Sequence, residues 1–71
     1  MQRNGTSPEA FRRLRENAGF TIPEIAARSG VARSTLWRIE NEPGYRPRES
    51  TVRAVATALD LPPAAFYRDI A

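Results

Sequence analysis

Glycine and proline punctuation cuts this chain into pieces too short for most folds. Gly19, Gly30, the Pro43-Gly44 pair and the Pro62-Pro63 pair divide its 71 residues into five segments. None of the five shows the strict apolar–polar alternation of a half-buried strand. The periodicity is helical, so the expected class is all-α: a compact five-helix bundle in a single domain. A chain of this size hides only about 60% of the surface its unfolded form exposes, so modest stability is expected unless it dimerises. It is also too small to enclose a deep cleft between domains.

Residues 1–6 are polar and are expected to form a flexible arm, with residues 7–71 as the folded unit. Ser7, Pro8 and Glu9 start a helix with a capping hydroxyl, a first-turn proline and an acid favoured by the helix dipole. Phe11, Leu14 and Ala18 make one apolar stripe, and Gly19 suits the left-handed residue that closes a helix. Thr21 opens a second helix, and Glu24 three residues on completes a capping box. Pro23 falls in its first turn, where a missing N–H costs little. Ile25 and Ala26 face inward, and Gly30 stops the segment. Only Val31 and Ala32 then precede a third helix, which starts at Arg33-Ser34-Thr35 and carries Leu36, Ile39 and Glu40 on one face. Pro43 and Gly44 end it. Tyr45 to Arg48 form an extended basic loop. A fourth helix is expected from Glu49 to Asp60, with Val52, Val55, Ala56 and Leu59 inside. A fifth starts at Pro62-Pro63 and carries Phe66, Tyr67 and Ile70.

Composition narrows the chemistry. Cysteine and histidine are both absent. Disulfides, thiolate nucleophiles, imidazole acid–base catalysis and the usual zinc ligands are thereby excluded. The eight carboxylates are scattered without a convincing acid–base couple, so neither an enzyme nor a metal or cofactor site is expected. No apolar run nears the roughly 20 residues that span a bilayer, and no signal-peptide stretch opens the chain; the cytoplasm is the expected location. All eleven basic residues are arginine. Codon bias in a GC-rich genome accounts for most of that usage, but the consequence is physical. Arginine's planar fork suits phosphates and guanine edges better than an ammonium does. Residues 1–48 hold nine arginines and five acids, a net +4, while residues 49–71 hold two and three, a net −1. A basic face for a polyanion and a separate neutral tail fit that distribution.

Two short helices joined by a glycine-containing turn, the second flanked by arginines, form the outline of a helix-turn-helix. The stretch Thr21-Ile-Pro-Glu-Ile-Ala-Ala-Arg-Ser-Gly-Val-Ala-Arg-Ser-Thr-Leu-Trp-Arg-Ile-Glu-Asn41 resembles the Cro/lambda-repressor-like (XRE-type) family. Ile25-Ala26, the Gly30-Val31 turn, Arg33-Ser34-Thr35-Leu36 and Ile39-Glu40-Asn41 carry the likeness. It extends upstream to Leu14-Arg15 and downstream through Arg46-Pro47 to Ala58-Leu59, roughly residues 8–67. The resemblance implies a lambda-repressor-like bundle that lays its third helix in the major groove of double-stranded DNA.

Helical geometry adds its own constraint. With Leu36, Ile39 and Glu40 inside, Arg33, Ser34, Trp37 and Arg38 occupy the opposite face and become the candidates for base reading. Arg33 leads, because it enters the groove first, followed by Arg38. Trp37 has two open readings: a thymine methyl or sugar contact, or core filling. The resemblance assigns the DNA backbone to Tyr45, Arg46 and Arg48, with Thr21, Thr35 and Asn41 as further phosphate contacts. An ordinary solvated loop is the alternative for residues 45–48. The N-terminus of the fourth helix would add N–H donors beside the same strand. The family pairs residues at the positions of Arg15 and Glu40, which implies a structural ion pair that sets the angle between helices. Arg12 and Arg13 are expected to point to solvent.

The chain departs from the family pattern in two places. Ile22 replaces the common glutamine at the start of the second helix, so that backbone contact is lost, and Pro23 removes a further amide donor. Glu42 stands where glycine usually follows Glu-Asn, so the third helix must end through a left-handed Asn41 or through Pro43-Gly44. Glu42 also adds repulsion near DNA.

The expected function is a sequence-specific transcriptional regulator, a phage-type or autoregulatory repressor, binding an inverted repeat as a homodimer through Phe66, Tyr67 and Ile70. Packing of Phe66 into the core is the competing role for that residue. An antitoxin-like module whose main partner is a protein is the alternative function. Met1 and the short tail fit a complete small protein, and a DNA-binding piece of a longer chain also stays open.

Overall fold

The computed structural model describes residues 8–62. They form four helices, α1 (Pro8–Ala18), α2 (Ile22–Ser29), α3 (Arg33–Asn41) and α4 (Glu49–Ala58), and no strand occurs among them. The architecture is all-helical as expected, but the described residues hold four helices rather than five. The segment expected to form the fifth, with Phe66, Tyr67 and Ile70, lies outside them, as does the expected arm at residues 1–6.

Most helix ends have a local cause. Thr21 Oγ1 accepts the N–H of Glu24 at 3.3 Å, and the Glu24 carboxylate accepts the N–H of Thr21 at 2.7 Å. This capping box satisfies donors that α2 cannot satisfy itself. The Thr21 N–H, followed by the Thr21 hydroxyl, holds the Glu24 carboxyl below its ordinary pKa. Gly30 closes α2 at φ 77°, its N–H bonded to the Ala26 carbonyl at 2.9 Å. At the end of α1, Gly19 takes φ 80°, and two crossed bonds run from Gly19 N to Glu16 O and from Phe20 N to Arg15 O.

The end of α4 differs from expectation, and α3 takes one of the two exits left open for it. Asp60 adopts φ 60°, its N–H bonds the Thr57 carbonyl, and Leu61 N–H bonds the Ala56 carbonyl. That is the same crossed cap built on an aspartate, a residue that tolerates the left-handed region. Helix α4 therefore stops at Ala58 rather than at Asp60. Helix α3 does not end through a left-handed Asn41. Asn41 stays helical and Glu42 turns extended, at φ −112° and ψ 103°. The following proline disfavours helical backbone at Glu42, so the exit runs through Pro43 and a left-handed Gly44.

Phe11, Ile25, Leu36, Ile39 and Val55 are fully enclosed, with Ala10, Val52, Ala56, Ala58 and Leu59 around them. Helix α3 packs against α1 and α2, and α2 packs against α4. Two neighbours thus hold α3 from behind and leave its other face to solvent. On α1 the expected stripe is only partly realised. Phe11 is buried and Leu14 half-buried, but Ala18 is exposed in the last turn, and Ala10 supplies the inward methyl instead.

Candidate nucleic-acid interface

The buried Leu36, Ile39 and Glu40 fix the rotation of α3 about its axis. All of Arg33, Ser34, Trp37 and Arg38 are exposed. At 100° per residue Ser34, Trp37 and Arg38 turn away from the core, while Arg33, in the first turn, lies at its edge, roughly 20° from the direction of Glu40. Trp37 is 54% exposed, so its ring does not fill the core. The structure brings these four side chains onto one continuous outer face.

Behind that face Glu40 is only 7% exposed and is gripped by two arginines of α1. Arg15 approaches it with two bonds, Nε to Oε1 at 2.7 Å and Nη2 to Oε2 at 3.1 Å. Its remaining terminal nitrogen donates to the Phe20 carbonyl at 3.0 Å. The bond to Glu40 raises the Arg15 pKa above its ordinary value, outweighing the opposing cost of burial. Arg12 also reaches Glu40, Nε to Oε2 at 3.2 Å, although half of its side chain is exposed. Arg12 is exposed, as expected, but it also pairs with Glu40, which was not expected. Arg12 and Arg15 lie one turn apart on the same side of α1, a spacing that permits both to meet one carboxylate. Every described buried side-chain polar atom has a hydrogen-bond partner.

At the other end of α3, Arg38 Nε lies 3.1 Å from Glu42 Oε1, and its guanidinium sits 4.4 Å from the centroid of the Tyr45 ring. Asn41 donates from Nδ2 to the Trp37 carbonyl at 2.9 Å, which commits one of its amide protons within the helix. Arg33, Arg46 and Arg48 are exposed and make no ion pair or hydrogen bond through their side chains among the described residues. Ser34 and Thr21 are exposed, and Thr35 is half-buried. Arg48 stands at the N-cap of α4 in extended backbone without a side-chain cap, and Glu49 beside it pairs with Arg53 at 2.9 Å. The loop joining α3 to α4 thus meets α3 at Arg38 through Tyr45 and exposes Arg46 and Arg48 to solvent.

Arg28 escaped notice in the sequence. Its Nε donates to the Ala58 carbonyl at 3.0 Å, and its guanidinium lies 4.5 Å from the Phe20 ring centroid. It ties the end of α2 to the end of α4, a role with no local signature beyond a basic residue in a last helical turn. Among the described residues no cluster of three or more aspartate or glutamate side chains could hold a metal ion, and no helix is long and apolar enough to cross a membrane.

Comparison with known proteins agrees with this geometry. The helix-turn-helix domain family matches residues 9–66. Over 54 residues the chain is 37% identical to the HTH-type transcriptional repressor RghR of Bacillus subtilis (strain 168). That match covers 76% of this chain and 40% of the relative's length. The fold is similar to that of the restriction-modification controller protein C.AhdI from Aeromonas hydrophila, with a TM-score of 0.72 at 30% identity. It spans 83% of this chain and 88% of the controller. The capped pair α2–α3, the outward basic face of α3 and these matches place the chain in the helix-turn-helix family of DNA-binding transcription regulators, of the Cro/lambda-repressor-like (XRE) type.

Proposed function

We propose that this protein is a sequence-specific, non-catalytic repressor of phage-type or autoregulatory kind that reads the major groove of double-stranded DNA with the outer face of α3. The observation that carries the reading is the exposure of Arg33, Ser34, Trp37 and Arg38 along the solvent side of a helix whose inner side is buried through Leu36, Ile39 and Glu40. Arg33 is assigned to a guanine, because its fork can hold O6 and N7 together and no group among the described residues competes for it. Arg38 is the second reader. Arg46 and Arg48 neutralise phosphates and set register without reading sequence, and Thr21, Thr35, Asn41 and Tyr45 supply further backbone contacts. Thr21 does so through its hydroxyl, since its backbone N–H is taken by Glu24. Two copies on an inverted repeat would present their α3 helices about 34 Å apart, one turn of DNA, with Phe66, Tyr67 and Ile70 proposed for the contact between copies.

Selection from a randomised duplex library, followed by salt titration of the winning site, tests the reading. Enrichment of an inverted repeat that Arg33→Ala loses establishes a dimeric sequence reader. Arg46→Ala and Arg48→Ala should instead weaken binding to every sequence alike, each lowering the slope of log K against log salt by about 0.9. Failure to enrich any sequence would overturn the proposal and make a protein the partner to seek.

A further inference from the structure

Glu42 is poorly placed for stability. An acid at the C-terminal end of a helix opposes the helix dipole, and an Arg-to-Glu order at four-residue spacing is the weaker of the two orientations. The local backbone nevertheless delivers its carboxylate to Arg38 at 3.1 Å. Pro43 forces Glu42 into extended backbone, Gly44 takes the left-handed turn at φ 82°, and Tyr45 N–H closes the loop on the Glu42 carbonyl at 3.1 Å. That turn also swings the Tyr45 ring, half-buried against the core, under the same guanidinium at 4.4 Å. One side chain of the outer face of α3 is thus held both in plane, by a carboxylate, and on its face, by a ring.

The two terminal nitrogens of Arg38 make no hydrogen bond among the described residues. They form the fork whose spacing matches O6 and N7 of guanine. Resting on the major-groove reading above, we propose that Glu42 and Tyr45 are positioning residues that orient Arg38 towards a guanine and so set specificity. An arginine free in solution must lose its rotamer freedom when it meets a base; one already held on two sides has less to lose. A wrong base gains nothing from that order, because it offers no matching pair of acceptors.

This role makes a prediction that simple repulsion between Glu42 and DNA does not. A bare negative charge weakens binding to all sequences equally, so its removal strengthens them equally and leaves base preference unchanged. An orienting carboxylate improves guanine over other bases, so its removal must lower the preference.

The experiment uses the full chain with Glu42→Gln, Tyr45→Leu and Arg38→Ala. Each is titrated against the selected duplex, single-base variants of it and a random duplex at one salt concentration, with thermal melting to confirm folding. Arg38→Ala should abolish preference for guanine at one position of each half-site. Glu42→Gln should bind random duplex at least as tightly as the parent yet lose about two- to tenfold of that same preference, the cost of ordering one long side chain. Tyr45→Leu should lose a similar part if it folds, and Glu42→Gln decides the matter if it does not. An unchanged or increased preference in Glu42→Gln overturns the inference while the major-groove reading stands. So does an Arg38→Ala protein that keeps every base preference. A library selection that enriches no sequence overturns both.

Discussion

Glu40 of α3 meets Arg15 of α1 through two hydrogen bonds, of 2.7 and 3.1 Å, across 25 positions of sequence. The carboxylate lies on the buried side of the helix that carries Arg33, Ser34, Trp37 and Arg38, so the pair fixes how α3 stands against α1. Removing it leaves Arg15 with the Phe20 carbonyl and the more distant Glu16, and returns the half-exposed Arg12 to solvent. Glu40→Ala should therefore destabilise the fold by about 2–3 kcal/mol, less than the loss of a wholly buried pair. Its DNA affinity at low temperature should fall only as far as the unfolded fraction requires. Thermal melting alongside binding checks this, and an unchanged melting temperature would sink the assignment.

Trp37 is the single tryptophan and stands exposed on the outer face of α3. Trp37→Ala should change stability by no more than about 0.5 kcal/mol, as surface substitutions do. Specific DNA binding should weaken about tenfold, in the range for truncating an interface tryptophan. The native protein should also show solvent-exposed tryptophan emission that shifts when the selected duplex is added. Emission indifferent to DNA would remove Trp37 from the interface.

Arg28 joins α2 to α4 by one hydrogen bond to Ala58 and one stack on Phe20. Arg28→Ala should cost about 1–2 kcal/mol, the sum of an ordinary hydrogen bond and an exposed cation–π contact. Phe20→Leu should remove the ring contact alone, and the double variant should lose less than the two single losses together. Base preference should not move, since both recorded partners of Arg28, Ala58 and Phe20, lie outside α3. Chemical denaturation of the four proteins measures the coupling.

Glu24 provides a pH-dependent contribution. Its folded-state pKa lies below the ordinary value, chiefly because the Thr21 N–H donates to its carboxylate. The stabilisation is therefore present above the unfolded pKa and disappears as pH falls through the folded one. Glutamine can still fill a capping box but carries no charge. Glu24→Gln should melt below the parent at neutral pH, and the gap should narrow as pH falls below the usual carboxylate range. A gap independent of pH would show that the ionised carboxylate adds nothing.

Much of this architecture was legible from the chain because its causes are local. The Thr21–Glu24 box, the closures at Gly19 and Gly30 and the inner set Leu36, Ile39 and Glu40 depend on partners within about a turn or on helical period alone. Those features also fixed which residues of α3 face outward, and hence where an interface could lie. Sequence could not decide between core and surface for Trp37, because burial of one ring depends on what packs beside α3. It could not reveal that Arg12 joins Arg15 on Glu40, that Arg28 seeks the Ala58 carbonyl, or that Tyr45 lies under Arg38. Even the exit of α3 was open until Pro43 put Glu42 in extended backbone. Long, flexible arginines can reach many partners from one backbone position. Which partner each one meets was decided by the crossing of the helices, and that exists only in the folded chain.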